Sequence, residues 1–217
     1  MQDATTIQTA EKYIQRLHPR LFRLARAVVY SDAEATTVIQ GAYLQALTHW
    51  QPGTRQNELA RTLEDHVFLG AMHERVRSRS QLLQLLDAAA DVDPGADPDL
   101  ANLEDETLGT TQRQLLDSVK HGEVIVDGLS DMLRVVFVML DVIGMEVAEI
   151  ASMLRIKETT VESRAQRARV LVRARMEELG LQEVPEIYRV GEAHCRAVID
   201  QVRLRMAARK LADPARR

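Results

Sequence analysis

The stretch that decides the fold spans residues 149–169 and reads EIASMLRIKETTVESRAQRAR. Its apolar residues form two groups at helical spacing: Ile150, Ala151 and Leu154, then Val161, Ala165 and Ala168. Residues three or four positions apart share one face of a helix, so each group predicts a helix that is buried on one side. Two helices that pack across a short turn need a small residue where they cross, and Ala151 stands at that position. With Ile156 in the turn, the stretch predicts a helix-turn-helix.

The second of these helices carries hydrogen-bond donors on its outward face, namely Ser163, Arg164, Gln166 and Arg167. Such side chains reach base edges and phosphates when a helix lies in the major groove of DNA. Arginine is suited both to bidentate recognition of guanine and to clamping phosphates, so Arg164 and Arg167 are the strongest candidates. Arg169, farther along, is expected to meet a phosphate or solvent.

Charge is segregated along the chain, although the net charge of −4 argues at first sight against a nucleic-acid partner. Residues 87–106 contain many acidic side chains and neither Lys nor Arg. Residues 155–175 are rich in Arg and Lys, which are opposed only by Glu158 and Glu162. A local basic surface is what binding to phosphates requires, whatever the total charge.

Composition favours an all-α protein of one or two domains. The chain has 217 residues, 46% of them hydrophobic but only 4% aromatic, with few Gly and Pro. Cys195 is the only cysteine, so no disulfide forms within the chain, which fits a reducing cytosol. The first residues show neither a basic nor an apolar leader, and no apolar run could span a bilayer. The protein is therefore expected to be cytoplasmic, with no membrane insertion.

The chain divides at a segment rich in Asp and Pro, whose composition cannot bury a core. Four parts are predicted: a helical domain over residues 8–86, an acidic flexible linker over 87–110, a domain with the helix-turn-helix over 111–179, and a C-terminal helical extension over 180–217. In the first domain, a stripe that includes Leu17 and Leu21 indicates a helix, with Pro19 expected in its first turn. Residues 39–50 predict a second helix, and a third runs from about Leu59 into the cluster at 75–79.

The two halves together resemble region 2 and region 4 of small bacterial sigma factors of the extracytoplasmic-function type, in the sigma-70 superfamily. Region 2 is suggested by residues 21–26 (LFRLAR) and 38–47 (VIQGAYLQAL). Region 4 is suggested by residues 129–140 (LSDMLRVVFVML) together with the helix-turn-helix. The resemblance implies an alternative sigma factor that directs core RNA polymerase to promoters. Region 2 would bind the β′ clamp helices and the −10 element, and region 4 would bind the −35 element and the β flap.

The resemblance also implies site residues. The −35 element would be contacted by Ser163, Arg164, Gln166, Arg167 and Arg169. The −10 element would be contacted by Trp50, Phe68, Arg75, Arg77 and Arg79. Core polymerase would be contacted by Asp32, Glu34, Gln40 and Tyr43. An anti-sigma factor is a further expected partner.

The chain departs from the family's pattern at several positions. Arg155 stands at the turn position where Gly is usual, and a left-handed Arg costs about 1 kcal/mol there. Lys157 stands where a capping side chain is common, and Glu162 replaces a basic residue. The first domain is also poor in the expected acidic and aromatic side chains. These departures keep a second hypothesis open: a sigma-like interaction protein that binds an anti-sigma factor or other regulator, with reduced or no initiation activity.

The sequence predicts no enzyme, no cofactor and no metal site. It has no Gly-rich phosphate loop and no convincing pairing of a nucleophile with a base. His66 and His73, and the neighbours His194 and Cys195, lack the spacing of a zinc site. The C-terminal extension contains one more amphipathic helix, which is expected to pack as a cap on the region 4-like domain, with a regulatory arm as the alternative.

Overall fold

The computed structural model describes residues 4–49, 55–90, 121–181 and 187–212. Within these ranges the chain forms eight α-helices and no strand, which confirms the all-α prediction. Trp50 and residues 91–120, which include most of the predicted linker, lie outside the described residues.

The N-terminal unit consists of three helices: α1 (Ala4–Val28), α2 (Asp32–His49) and α3 (Gln56–Ala90). Their apolar faces meet in a core that includes Leu21, Leu24, Ile39, Leu47 and Leu63. Helix α3 extends beyond the predicted cluster at 75–79 and takes in residues 87–90, which the sequence assigns to the linker. The unit is thus a small helical bundle of the predicted kind with a longer third helix.

Helix α1 differs from its prediction at Pro19, which lies in the helix interior and not in the first turn. An interior proline lacks an N–H donor and crowds the preceding turn, at a cost of about 3 kcal/mol. The helix nevertheless begins at Ala4, because its earlier turns also bury side chains, with Ile14 fully buried and His18 nearly so. Tertiary burial of those turns outweighs the local preference of proline.

The C-terminal unit begins with α4 (His121–Asp127) and α5 (Asp131–Phe137), which continues into a π-helical turn over Val138–Val142. Gly144, with φ +74°, then reverses the chain into α6 (Val147–Leu154), and α7 (Glu158–Glu178) follows. A residue with positive φ is needed there, and glycine adopts that conformation without steric cost.

The C-terminal extension forms α8 (Glu192–Ala212), and its packing corrects the sequence-based expectation. It does not cap the region 4-like unit but lies on α2 and α1. One face of α8 is buried by this packing, through Cys195, Val198, Ile199 and Val202. Glu11 on α1, itself buried, accepts a charged hydrogen bond of 2.6 Å from Arg203 Nε.

Two histidines join α1, α2 and α8 through an unbroken chain of hydrogen bonds. His18 Nε2 lies 3.0 Å from His194 Nδ1, and His194 Nε2 lies 2.9 Å from Thr36 Oγ1. Thr36 donates to the Asp32 carbonyl, so it accepts from His194, and His194 Nδ1 then accepts from His18. His18 Nδ1 in turn accepts from the Tyr43 hydroxyl at 2.8 Å. Every donor meets an acceptor when both imidazoles are neutral.

Candidate nucleic-acid interface

The helix-turn-helix forms as the sequence predicts. Arg155 ends α6 in the left-handed conformation, with φ 54° and ψ 45°. The Ile156 N–H then bonds the Ala151 carbonyl at 3.0 Å, which satisfies one of the carbonyls left free at the end of α6. Lys157 is the N-cap of α7 and makes no side-chain capping bond, as expected of an ammonium group.

The inward face of α7 is also as predicted. Val161, Ala165 and Ala168 are buried, and the stripe continues through Val172 and Met176. These small and branched side chains allow α7 to pack closely on α5 and α6. The packing fixes which residues of α7 face outward.

The outward face of α7 presents exposed donors. Ser163, Gln166 and Arg167 are all exposed, and Glu162 lies beside them. The Ser163 hydroxyl donates to the Thr160 carbonyl at 3.1 Å, which leaves its oxygen able to accept from an outside group. This surface can offer amide and guanidinium donors to an acceptor-rich partner.

Arg164 is set apart from these residues by partial burial. It lines a groove of about 410 Å³ with Ser130, Met132 and Leu133 on the side of α5 and with Arg167 on α7. Its Nη1 is buried and has no hydrogen-bond partner among the residues that the structure describes. A buried guanidinium nitrogen without an acceptor is costly, which sets Arg164 apart from the exposed donors of α7. Arg164 is therefore a candidate for a phosphate contact at the groove.

Arg169 has a partner within the chain. Its Nε and Nη2 lie 3.1 Å and 2.7 Å from Asp141 Oδ1 in the π-helical turn. The hydrogen bond to Asp141 raises the pKa of Arg169. In this conformation Arg169 joins α7 to the turn before α6, so it is less available to DNA than Arg167.

The described residues predicted for the −10 element all lie on α3 but differ in exposure and in their partners. Phe68 is buried, so its ring is not available to stack on a base in this conformation. Arg75 bonds the Tyr30 hydroxyl and Asp131, while Arg77 pairs with Glu74 on its own helix. Arg79 is exposed, and Trp50 lies outside the described residues.

The residues predicted for core polymerase also have roles within the fold. Tyr43 is fully buried, where desolvation raises its pKa, and Gln40 is half-buried. Asp32 pairs with Arg26 at 3.0 Å. Burial opposes ionisation of Glu34, but hydrogen bonds from Ser78, Ser31 and the backbone at residue 30 prevail and lower its pKa. Asp32 and Glu34 remain on the surface, at the first turn of α2.

Sequence reasoning missed Arg134, which is completely buried although it carries a charge. Its Nε donates to the Ala27 carbonyl of α1 at 2.9 Å. The available signal was its position within the apolar run 133–139, where a surface arginine is out of place. Groups of His, Cys, Asp and Glu that could hold a metal are absent from the described part of the chain.

Comparison with known protein families gives a match over part of the C-terminal unit. Residues 124–172 match the family model described as Sigma-70, region 4. This segment begins in α4, ends in α7 and includes every candidate residue on α7. No curated protein and no solved structure matches the chain. The helix-turn-helix unit is thus similar to sigma-70 region 4, as predicted, while the resemblance of residues 8–86 to region 2 stays a prediction. No helix in the described ranges has the length and apolar character needed to cross a membrane.

Proposed function

We propose that this chain is an alternative sigma factor of the extracytoplasmic-function type, which directs core RNA polymerase to specific promoters from the cytoplasm. The observation that carries the proposal is the outward face of α7, which lies within the segment similar to sigma-70 region 4. There Ser163, Gln166 and Arg167 are exposed, as residues that read base edges in a major groove must be.

The five candidate residues divide into three readers, one anchor and one weaker phosphate contact. Ser163, Gln166 and Arg167 would read the −35 element. Arg164 lies half-buried in the groove beside α5, so its guanidinium would hold a backbone phosphate and set the position of α7. Arg169 would contribute a weaker phosphate contact, because it first has to share or leave Asp141.

The N-terminal unit would provide the other contacts of a sigma factor. Arg77 and Arg79 are exposed on α3 and would approach the −10 element, while Asp32 and Glu34 would face the β′ clamp helices. The region 4-like unit would contact the β flap. An anti-sigma factor would compete for one of these surfaces.

A run-off transcription assay with purified core polymerase tests the proposal. Promoters that the chain selects should share one −35 sequence, and Arg167→Ala should relax the preference at one position of it. Arg205→Ala on α8 is the matched control, since it also removes an exposed arginine. Failure of the full chain to bind core polymerase and to select any DNA sequence would contradict the proposed function.

A second candidate function is a sigma-like interaction protein that binds a regulator and has reduced initiation activity. It is favoured by the N-terminal unit, where Tyr43 and Phe68 are buried and Arg75 already has partners. This alternative predicts that the chain retains an anti-sigma factor in a binding assay but does not support run-off transcription.

A further inference from the structure

The two helical units are joined by a buried arginine. Arg134 on α5 inserts against the end of α1, where it bonds the Ala27 carbonyl and lies 4.1 Å from the centre of the Tyr30 ring. The last carbonyls of a helix lack partners within it and attract cations. The Nε bond gives this desolvated guanidinium a specific acceptor on α1, whereas its Nη1 has none among the described residues, so the contact favours this arrangement of α5 on α1.

A second set of contacts lies at the rim of this interface and is called here the Arg75 cluster, formed by Tyr30, Arg75 and Asp131. Arg75 lies 3.7 Å from the Tyr30 ring centre and bonds Asp131 at 2.8 Å, and the Tyr30 hydroxyl donates to Asp131 at 2.5 Å. Partial burial opposes ionisation of Asp131, but the bonds from Tyr30 and Arg75 prevail and lower its pKa. A residue predicted to contact the −10 element is thus held against the unit that carries the −35 candidates.

A third set, the Asp127 cluster, adds the C-terminal segment to the same interface. It consists of Arg26 on α1, Asp127 on α4 and Tyr188, which precedes α8. Arg26 pairs with Asp127 at 2.8 Å, the Tyr188 hydroxyl donates to Asp127 at 2.5 Å, and Arg26 lies 4.7 Å from the ring centre. Tyr188 is buried with a positive φ of 50°, a conformation that a bulky residue adopts only when its surroundings impose it.

The segment that contains Tyr188, residues 187–212, also packs on the N-terminal unit. Helix α8 lies on α2, the helix that carries all four residues predicted to contact core polymerase. His194 bonds Thr36 one turn after Asp32, and His18 and Tyr43 lie in the same hydrogen-bonded chain. Residues 187–212 therefore bind both units at once.

This compact arrangement conflicts with the geometry of a promoter. Elements centred near positions −35 and −10 are about 25 base pairs apart, or roughly 85 Å at about 3.4 Å per base pair. In the structure, Arg75 of one unit touches Asp131 of the other. Residues 91–120 join the units, and a chain of about 30 residues reaches at most roughly 100 Å when fully extended. The connecting segment is therefore long enough to span the two promoter elements. Both elements can be contacted at once, however, only if the two units separate and the contact between Arg75 and Asp131 is broken.

We propose that this structure is a closed state, in which residues 187–212 latch the two units together and pack on α2, and that both promoter elements can be engaged only after the latch opens. The inference rests on the proposed function for its biological consequence. Its structural content, a closed state that the Asp127 cluster maintains, is tested independently of transcription.

The experiment uses the full chain with fluorescent labels at Arg55→Cys and Glu177→Cys, two exposed positions on different units, with Cys195 replaced by Ala. Energy transfer between the labels reports separation of the units. The latch is weakened by the double substitution Asp127→Asn and Tyr188→Phe, which preserves shape and removes the charged hydrogen bonds. We expect the open fraction to rise about tenfold, since a hydrogen bond to a charged group is worth at least a factor of about ten. Affinity for core polymerase should rise with it.

A DNA-binding control and a charge-swap variant show whether the change in energy transfer comes from opening of the latch. Affinity for a duplex that carries only a −35 element should stay unchanged, because the outward face of α7 is exposed in the closed state. Arg203→Glu should weaken the latch at its other end, and the swap Glu11→Arg with Arg203→Glu should restore it. This pair keeps the test valid if the double variant fails to fold.

Unchanged energy transfer in the latch variants would overturn the proposal, as would unchanged transfer when polymerase and promoter bind the labelled parent. If the chain binds neither −35 DNA nor polymerase, the proposed function fails, and the closed state is then judged by energy transfer alone.

Discussion

The outward face of α7 and the surface of α2 and α3 differ in what their candidate residues already contact. On α7, Gln166 and Arg167 are exposed, and Arg164 has a buried nitrogen without a hydrogen-bond partner within the described ranges. On α2 and α3, Tyr43 is buried, and Arg75 is held by a residue of the other unit. The first surface can bind an outside ligand as it stands. On the second, Arg79 is exposed, but Tyr43 and Arg75 can reach an outside ligand only after contacts within the chain are broken.

Matching residue types are therefore not enough to define a binding surface. A polar side chain that is satisfied within the protein offers little net free energy to a ligand, because its existing bonds must be exchanged. A group that folding leaves unsatisfied gains the full bond. Four changes to the protein or its conditions test this contrast, and their expected effects decrease in the order given.

The largest change in the free energy of unfolding is expected at the interface between the two units. Arg134→Ala should lower the free energy of unfolding by about 3 kcal/mol, because it leaves a cavity and removes the donor to the Ala27 carbonyl. Arg134→Met, which fills the same space, should cost less. Denaturant unfolding followed by circular dichroism measures both, with Arg205→Ala as the control. A loss below about 1 kcal/mol would show that the arginine does not hold the interface.

Acidification should destabilise the fold at the contact between α8 and the N-terminal unit, where His18 meets His194. Burial, followed by the nearby His194, lowers the pKa of His18 from 6.5 to about 4. The unfolded chain therefore binds more protons than the folded one between these values, so stability is complete above pH 6.5 and falls as the pH drops toward 4. The total loss is on the order of 3 kcal/mol.

Thermal unfolding between pH 7 and 4 measures this effect. His18→Gln should flatten the dependence in that window, whereas His73→Gln, at an exposed position on α3, should leave it unchanged. Asp32 partly offsets the burial that lowers the pKa of His194, so the His194 contribution should be smaller. If the stability of His18→Gln and of the parent depended equally on pH, His18 would not be the group responsible for the loss.

On α7, the proposed anchor and reader should respond differently to truncation. Arg164→Ala should weaken binding to all DNA sequences alike and reduce the salt slope by about 1, as expected of a phosphate contact. Arg167→Ala should cost about 1–3 kcal/mol at one position of the −35 element. Fluorescence anisotropy with substituted duplexes at several salt concentrations separates the two. Loss of preference at a single base pair in Arg164→Ala would make Arg164 a reader instead.

The smallest change in the free energy of unfolding is expected at Arg155, in the turn of the helix-turn-helix. Arg155→Gly should raise the free energy of unfolding by up to about 1 kcal/mol, because glycine adopts the left-handed conformation without strain. Arg173→Gly, in the interior of α7, should instead lower it by about 1 kcal/mol. Denaturant unfolding measures both changes. A loss of stability in Arg155→Gly would indicate that the Arg155 side chain contributes packing that outweighs the strain.

Local spacing was sufficient to predict the helix-turn-helix and its faces. Ile150, Val161, Ala165 and Ala168 are buried as their periodicity indicated, since neighbours at three and four positions meet on any α-helix. The left-handed Arg155 lies where the family resemblance implies a Gly, so a left-handed residue was considered there. Periodicity did not indicate the start of α1, because burial of Ile14 and His18 against distant helices extends that helix across Pro19.

Residues close together in the chain account for the all-α class, the concentration of positive charge on α7 and the similarity of one unit to sigma-70 region 4. Three contacts could be seen only in the folded molecule: Arg169 pairs with Asp141, Arg134 is buried, and His194 meets His18 across 176 positions. Those contacts depend on how whole helices pack, and helix spacing carries no information about which distant surface a helix will cover.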